Sequence, residues 1–204
     1  ASRPQLLIKI LNEAMAKKYV PDVILQGTLE ILPLKRKGLL EKYSSPEARA
    51  YHESYRDPEG YYTVFYLSIF PMIYNTKLIS PANVPKTYED LLHPRWKGKL
   101  SLESGGGGIT WYTCMMKKMG EKKGEEFMRE LAKQKVMLRS GASLVNILVA
   151  AGEFPLTIVS NANRVEEMKD EGAPIDWVRT DPAFTTQSGI SLSSHAAHPN
   201  SAKL

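Results

Sequence analysis

The chain has 204 residues, 43% of them hydrophobic and 24% charged, which is enough for one large domain or two small lobes and predicts a globular rather than a disordered chain. No apolar run approaches the roughly 20 residues that a membrane-spanning helix needs. Basic residues outnumber acidic ones 27 to 22, and the net charge of +5 is spread thinly. Clusters such as Lys35-Arg36-Lys37 and Lys117-Lys118 therefore read as solvated helix faces, and no nucleic-acid partner is expected.

Residues 5–18 place Leu7, Leu11, Ala14 and Met15 at helical spacing, and Pro21 ends that segment. Val23, Ile24 and Leu25 form a short apolar run that reads as a buried strand. Gln26-Gly27-Thr28 follows as a turn, with Thr28 the expected N-cap of a second helix that Gly38 stops. Residues 41–60 are polar and carry Pro46, Pro58 and Gly60, a surface-loop composition. Residues 61–75 are rich in Tyr, Val, Phe and Ile, as strands are, and Pro71 breaks the run. Thr87 caps a helical turn with Asp90 at its third position. Residues 100–102 form a strand that ends at Glu103-Ser104 and four glycines, before a helix expected from about Thr110. Residues 121–133 are amphipathic, with Phe127 and Leu131 inward. Strands are expected at 136–138, 156–159, 175–178 and 190–192, and helices at 164–171 and after His198. Strands alternating with helices predict an α/β fold with largely parallel sheets.

Residues 140–143 carry the strongest binding signal. Ser140, Gly141, Ala142 and Ser143 form a polar turn between a strand and a helix, and a helix N-terminus offers N–H groups to an anion. The glycine run at 105–108 invites a phosphate-loop reading, but Ile109-Thr110 stands where a Lys and a Ser or Thr would be needed. Nucleotide hydrolysis is not expected. The glycines instead suggest a backbone that a ligand can approach closely. Cys114 is the only cysteine, so no disulfide forms within the chain. Its apolar neighbours predict a packed thiol rather than a nucleophile. His195 and His198 have no nearby carboxylate or thiol in sequence to complete a zinc site, and no metal is expected there. No serine lies in a Gly-x-Ser-x-Gly elbow. The acid pairs Glu125/Glu126 and Glu166/Glu167 fall on charged helix faces. No enzyme activity and no cofactor are expected.

Several segments together carry a family likeness. They are Asp22-Val23-Ile24 with Gln26-Gly27-Thr28, Lys37-Gly38-Leu39-Leu40, and Ile73-Tyr74-Asn75-Thr76. Pro85-Lys86-Thr87-Tyr88-Glu89-Asp90-Leu91-Leu92, Pro94-Arg95-Trp96-Lys97-Gly98-Lys99, Ala151-Gly152-Glu153 and His198-Pro199-Asn200-Ser201-Ala202 complete the set. In order and spacing the chain resembles a type 2 periplasmic solute-binding protein of an ABC importer, closest to the ferric-iron-binding-like group. The resemblance implies two α/β lobes joined by crossover strands, near residues 67–75 and 189–193. Residues 1–70 would be a partial first lobe, 71–188 the second, and 189–204 the return strand and the start of a helix to the first. It also implies that N- and C-terminal parts of the fold lie outside this chain.

By the same resemblance the solute sits in the cleft between lobes. Carried over by position, the contacts are Gln26, Gly27 and Thr28 from the first lobe, and Ser104, Gly105, Gly106 and Gly107 from the second. Ser140, Gly141, Ala142, Ser143, Asn161 and Asn163 complete the second lobe's set. Iron-binding members hold ferric ion through two adjacent tyrosines after the strand that follows the Gly-Glu motif. Here Ser160-Asn161-Ala162-Asn163 stands there, and amides and hydroxyls suit oxyanions better than ferric ion. The expected solute is a small phosphonate, a phosphorylated or carboxylated compound, or an iron chelate. The expected partner is an ABC permease, the location periplasmic or extracellular, and the chain a monomer. Direct ferric-ion transport and a ligand-sensing regulatory domain on the same fold are the alternatives.

Overall fold

The computed structural model describes residues 3–180 and 183–204. In chain order the elements are α1 (Arg3–Met15), β1 (Val23–Gly27), α2 (Thr28–Arg36), β2 (Leu40–Glu41), β3 (Thr63–Ile69), β4 (Ile73–Asn75), β5 (Leu100–Glu103), α3 (Gly106–Met119), α4 (Glu121–Lys133), β6 (Met137–Arg139), α5 (Ala142–Ala151), β7 (Leu156–Thr157), α6 (Ala162–Asp170), β8 (Ile175–Trp177), β9 (Thr185–Ser193) and α7 (Pro199–Ala202), with short 3-10 turns between them. The chain divides into two compact units. One comprises Ala1–Leu67 with Thr186–Leu204, and the other Ser68–Thr185.

In the first unit β9 lies between β1 and β2, and β3 also pairs with it. The β1 and β2 pairings are antiparallel, with Val23 opposite Leu192 and Leu40 opposite Ser193. This corrects the expectation of largely parallel sheets. Strand–helix alternation constrains only consecutive strands, and β9 arrives from more than a hundred residues away. The strand period of two sorts the side chains of β1. Ile24 points into a core with Ile10, Ile31, Leu34 and Leu40, packed under α1 and α2. Val23 and Leu25 alternate outward and are 40% and 48% exposed, with Ile190 opposite Leu25 at 42%. A cavity of about 320 Å3 lies on this outer side, lined by Val23, Phe65 and Ile190 with Tyr43, Tyr51 and Tyr61. Helix α2 starts one residue earlier than expected. Gly27 is its N-cap, and Thr28, already helical, makes no capping bond.

The second unit has a five-stranded sheet in the order β6-β5-β7-β4-β8. Here the parallel expectation holds for the consecutive strands: β5 is parallel to both β6 and β7. Strand β4 is antiparallel to β7 and β8. Alternation along the chain feeds two cores. Met72 and Tyr74 join Trp96, Leu100, Trp111, Met115 and Leu131 in one. Ile73 joins Val149, Phe154, Val165 and Ile175 in the other. Helices α3 and α4 thus contribute to one core and α5 and α6 to the other. Trp111 and Met115, four apart on α3, take the inward positions. Cys114 is only partly buried against them, a shallower seat than its neighbours suggested.

Two polar devices hold this unit's connections. Asn75 is buried, and its side-chain N–H groups donate to the Val149 and Ala150 carbonyls at 2.8 and 3.1 Å. Its Oδ1 accepts from the backbone N–H of Lys77 and Leu78 at 2.8 and 3.2 Å, so one side chain closes the end of α5 and the turn after β4. The Ala151-Gly152-Glu153 signature is a helix stop. Gly152 takes a φ of 85°, and the Glu153 N–H reaches back to the Leu148 carbonyl at 3.0 Å.

Candidate functional site

In the first unit, Gln26 and Gly27 end β1 opposite Gly189 and Ser188 and are buried. Thr28 is partly exposed at the start of α2. The strand's end and the helix's first turn therefore place the three residues in one compact corner, where backbone rather than side chain caps the helix.

In the second unit the polar turns follow the C-terminal ends of three adjacent parallel strands, where ligand crevices of α/β sheets form. Glu103 closes β5 in register with Arg139 of β6, so the turns after the two strands are neighbours. Ser104 is fastened to that neighbour through its N–H and its hydroxyl, both donating to the Arg139 carbonyl at 2.9 and 3.2 Å. The third turn is tied in behind α5. Ser160 donates its hydroxyl to the Ala142 carbonyl at 3.3 Å, and Asn146 donates to the Asn161 carbonyl at 3.3 Å. Ser104 to Gly107, Ser140 to Ser143, and Asn161 thus form one cluster. Ser104, Gly106, Ser140, Gly141, Ser143 and Asn163 are exposed. Asn161 has a second duty, since its Oδ1 accepts from the Asn163 N–H at 2.9 Å and caps α6.

The sequence reading overlooked Glu103. Its side chain is 4% exposed and folds back under the glycine run. Oε1 accepts from the Gly105 N–H at 2.6 Å and from the Gly141 N–H at 3.4 Å, while Oε2 accepts from the Gly108 N–H at 3.0 Å. Helix α3 begins at Gly106, four residues before the expected start, so three of the four glycines lie in its first turn. The signal was a carboxylate two residues before a glycine run. Asn146 was also missed; it is fully buried on α5, and its Oδ1 has no hydrogen-bond partner.

The chemistry of the cluster is amide and hydroxyl. Among the described residues no group of three or more His, Cys, Asp or Glu could hold a metal ion. His195 packs against Tyr19 with ring centroids 3.8 Å apart and the rings tilted by 40°. His198 has a carboxylate after all, which corrects the expectation drawn from sequence neighbours. Its Nδ1 lies 2.9 Å from Asp22 Oδ2, and Asp22 also accepts from the backbone N–H of Ala197 and His198. The hydrogen bond from the His198 side chain holds the Asp22 carboxyl below the usual carboxylate range. These bonds make Asp22 a tie between the entry to β1 and the entry to α7. Glu125 pairs with Arg129, and Glu166 with Lys169 and the Trp177 indole N–H, as solvated helix faces do.

Comparison with known proteins places this geometry. The family described as bacterial extracellular solute-binding protein matches residues 18–144. Iron-bound HitA from Pseudomonas aeruginosa is similar over 100% of this chain and 68% of its own, with 22% identity and a TM-score of 0.82. The periplasmic binding protein AfuA from Actinobacillus pleuropneumoniae, solved with fructose-6-phosphate, is similar over 98% of this chain and 65% of its own, with 23% identity and a TM-score of 0.77. An uncharacterized protein of Haemophilus influenzae is 31% identical over 104 residues, which are 46% of this chain and 30% of the relative. The chain therefore spans less than a third of the Haemophilus relative and about two thirds of the solved ones. With the family matched over more than half its length, and with two α/β units of this topology, the chain belongs to the bacterial extracellular solute-binding proteins and carries the type 2 periplasmic-binding-protein fold.

Proposed function

We propose that the chain is the solute-capturing component of an ABC importer and holds a small oxyanion-bearing compound. The observation that carries this reading is the cluster of amide- and hydroxyl-bearing turns after β5, β6 and β7, in a member of a solute-binding family. Gly106, Gly107, Ala142 and Ser143 present first-turn amides of two helices, which favour negative charge. Ser104, Ser140, Asn161 and Asn163 add neutral groups that orient a phosphate, phosphonate, carboxylate or sugar oxygen. Gly105 and Gly141 differ, because their N–H groups are turned to Glu103. The neutral run Ser160-Asn161-Ala162-Asn163 favours iron carried as an anionic chelate over bare ferric ion. The protein works as a monomer in the periplasm or outside the cell and delivers its solute to a permease without transforming it.

Native mass spectrometry of the gently purified protein tests the reading. The expected result is a retained organic anion or an iron chelate. Retention of bare iron, or turnover of any bound compound, would overturn it.

A further inference from the structure

We propose that Glu103 is a specificity-determining residue, an internal anion that fills the deepest N–H seats of the second unit and keeps free inorganic oxyanions out of them. The proposal rests on the solute-binding reading only for the word specificity; the occupancy itself is geometric.

The glycine run is shaped to Glu103. A Cβ at Gly105 would stand 2.3 Å from Glu103 Oε1, and one at Gly107 would stand 3.0 Å from Oε2 and 3.1 Å from the Phe70 ring. At Gly108 it would meet the Glu103 carbonyl oxygen at 1.8 Å. Only Gly106 has open space around it. Two of the four glycines, Gly105 and Gly107, therefore let this chain's own carboxylate approach, and Gly108 makes room for the backbone of the same residue. The run thus offers the features a phosphate cradle would need: absent side chains, inward amides and a helix dipole.

The seat is built from both turns. One carboxylate accepts from the N-cap and third-position amides of α3 and also from Gly141, the N-cap of α5. A small free anion aimed at those amides must displace a tethered competitor at very high effective concentration, or sit beside a like charge. What remains open is the outer row, Gly106, Gly107, Ala142 and Ser143. That row suits a solute whose charge is spread, shielded by a bound cation, or carried on a larger body held by other contacts. Phosphate and sulfate, abundant and compact, are disfavoured. Glu103 also pins the two turns in place, so it positions the outer row while selecting against the simplest anions.

The test uses Glu103→Ala and Glu103→Gln. The first empties a carboxylate-shaped seat, and the second removes the charge while nearly preserving the shape. Thermal unfolding is followed in sodium acetate, sodium phosphate and sodium chloride at matched ionic strength. Phosphate binding is then measured by titration calorimetry. Both variants should bind inorganic phosphate at least about tenfold more tightly than the native chain. Acetate should raise the melting temperature of Glu103→Ala by about 3–5 °C over chloride and leave the native chain unmoved. A purely structural role would lower stability with no response specific to acetate or phosphate, and that result would overturn the proposal. So would native protein that already binds phosphate as tightly as the variants. Should Glu103→Ala fail to fold, the phosphate affinity of Glu103→Gln decides alone. Solute capture is judged separately by mass spectrometry on the native chain, so either idea can fail without the other.

Discussion

At the scale of single residues, buried polar groups carry the sharpest expectations. Asn75 uses both ends of its amide to close α5 and the following turn, and it is 3% exposed. Asn75→Ala should lower stability by about 2–3 kcal/mol, because it leaves buried carbonyls and N–H groups unpaired. Urea unfolding should show the loss as a lower midpoint at unchanged slope. Tyr88 supplies a pH dependence. Burial pushes its phenol up to about 12, above the ordinary value of 10. The phenol stays neutral in the folded chain while the unfolded chain ionises, so stability should fall as pH rises from about 10 to 12. Tyr88→Phe should flatten that fall, with fluorescence-monitored unfolding at each pH as the measurement. The sequence showed Tyr88 as part of a family signature and said nothing of its burial against Trp111 and Phe184. Depth of burial depends on which segments pack together, and a single residue's neighbours in sequence do not encode it.

At the scale of elements, the start of α3 separates two kinds of glycine. Gly106→Ala meets nothing within 4 Å and should stabilise by about 0.5 kcal/mol, through a less flexible unfolded chain. Gly108→Ala drives a methyl into the Glu103 carbonyl and should cost about 2 kcal/mol or more. Calorimetric melting of the two variants should therefore move in opposite directions. Most elements were legible beforehand. Apolar runs, strand-rich composition and helical patterning found β1, β4, β5, α4 and α6, and the glycine expected to stop the second helix stands just past α2 at Gly38. The boundary of α3 was missed, because glycine is a poor helix former and the run is drawn into the first turn by local capping from Glu103, two and five residues upstream of the amides it accepts from. The antiparallel pairing of β1 with β9 was equally hidden, since it joins segments at opposite ends of the chain.

For the whole molecule, the family likeness rested on motif order, and the matched family agrees with it. Several of those motifs are structural joints: the helix stop at Gly152, the Thr87–Asp90 cap, and the Asp22 tie to His198. They identify a fold while leaving the solute to be read from other residues, which is why fold was clearer than site. The first unit adds a surface expectation of its own. Its sheet is covered on one side by α1 and α2, while Val23, Leu25 and Ile190 stand exposed on the other. Such a face should bind an apolar dye such as ANS in the folded chain. Leu25→Thr should reduce the fluorescence without a large change in melting temperature.

The pairing of one glutamate with three close glycines also bears on how this sequence can change over generations. An alanine at position 105, 107 or 108 collides with the carboxylate or backbone of residue 103, and a shorter residue at 103 strands the amides that the glycines present. Neither side can drift alone without loss. Relatives that replace Glu103 without seating an outside anion in its place should therefore also relax Gly105 and Gly107. In those lineages position 103 and the glycine run would change as one inherited block.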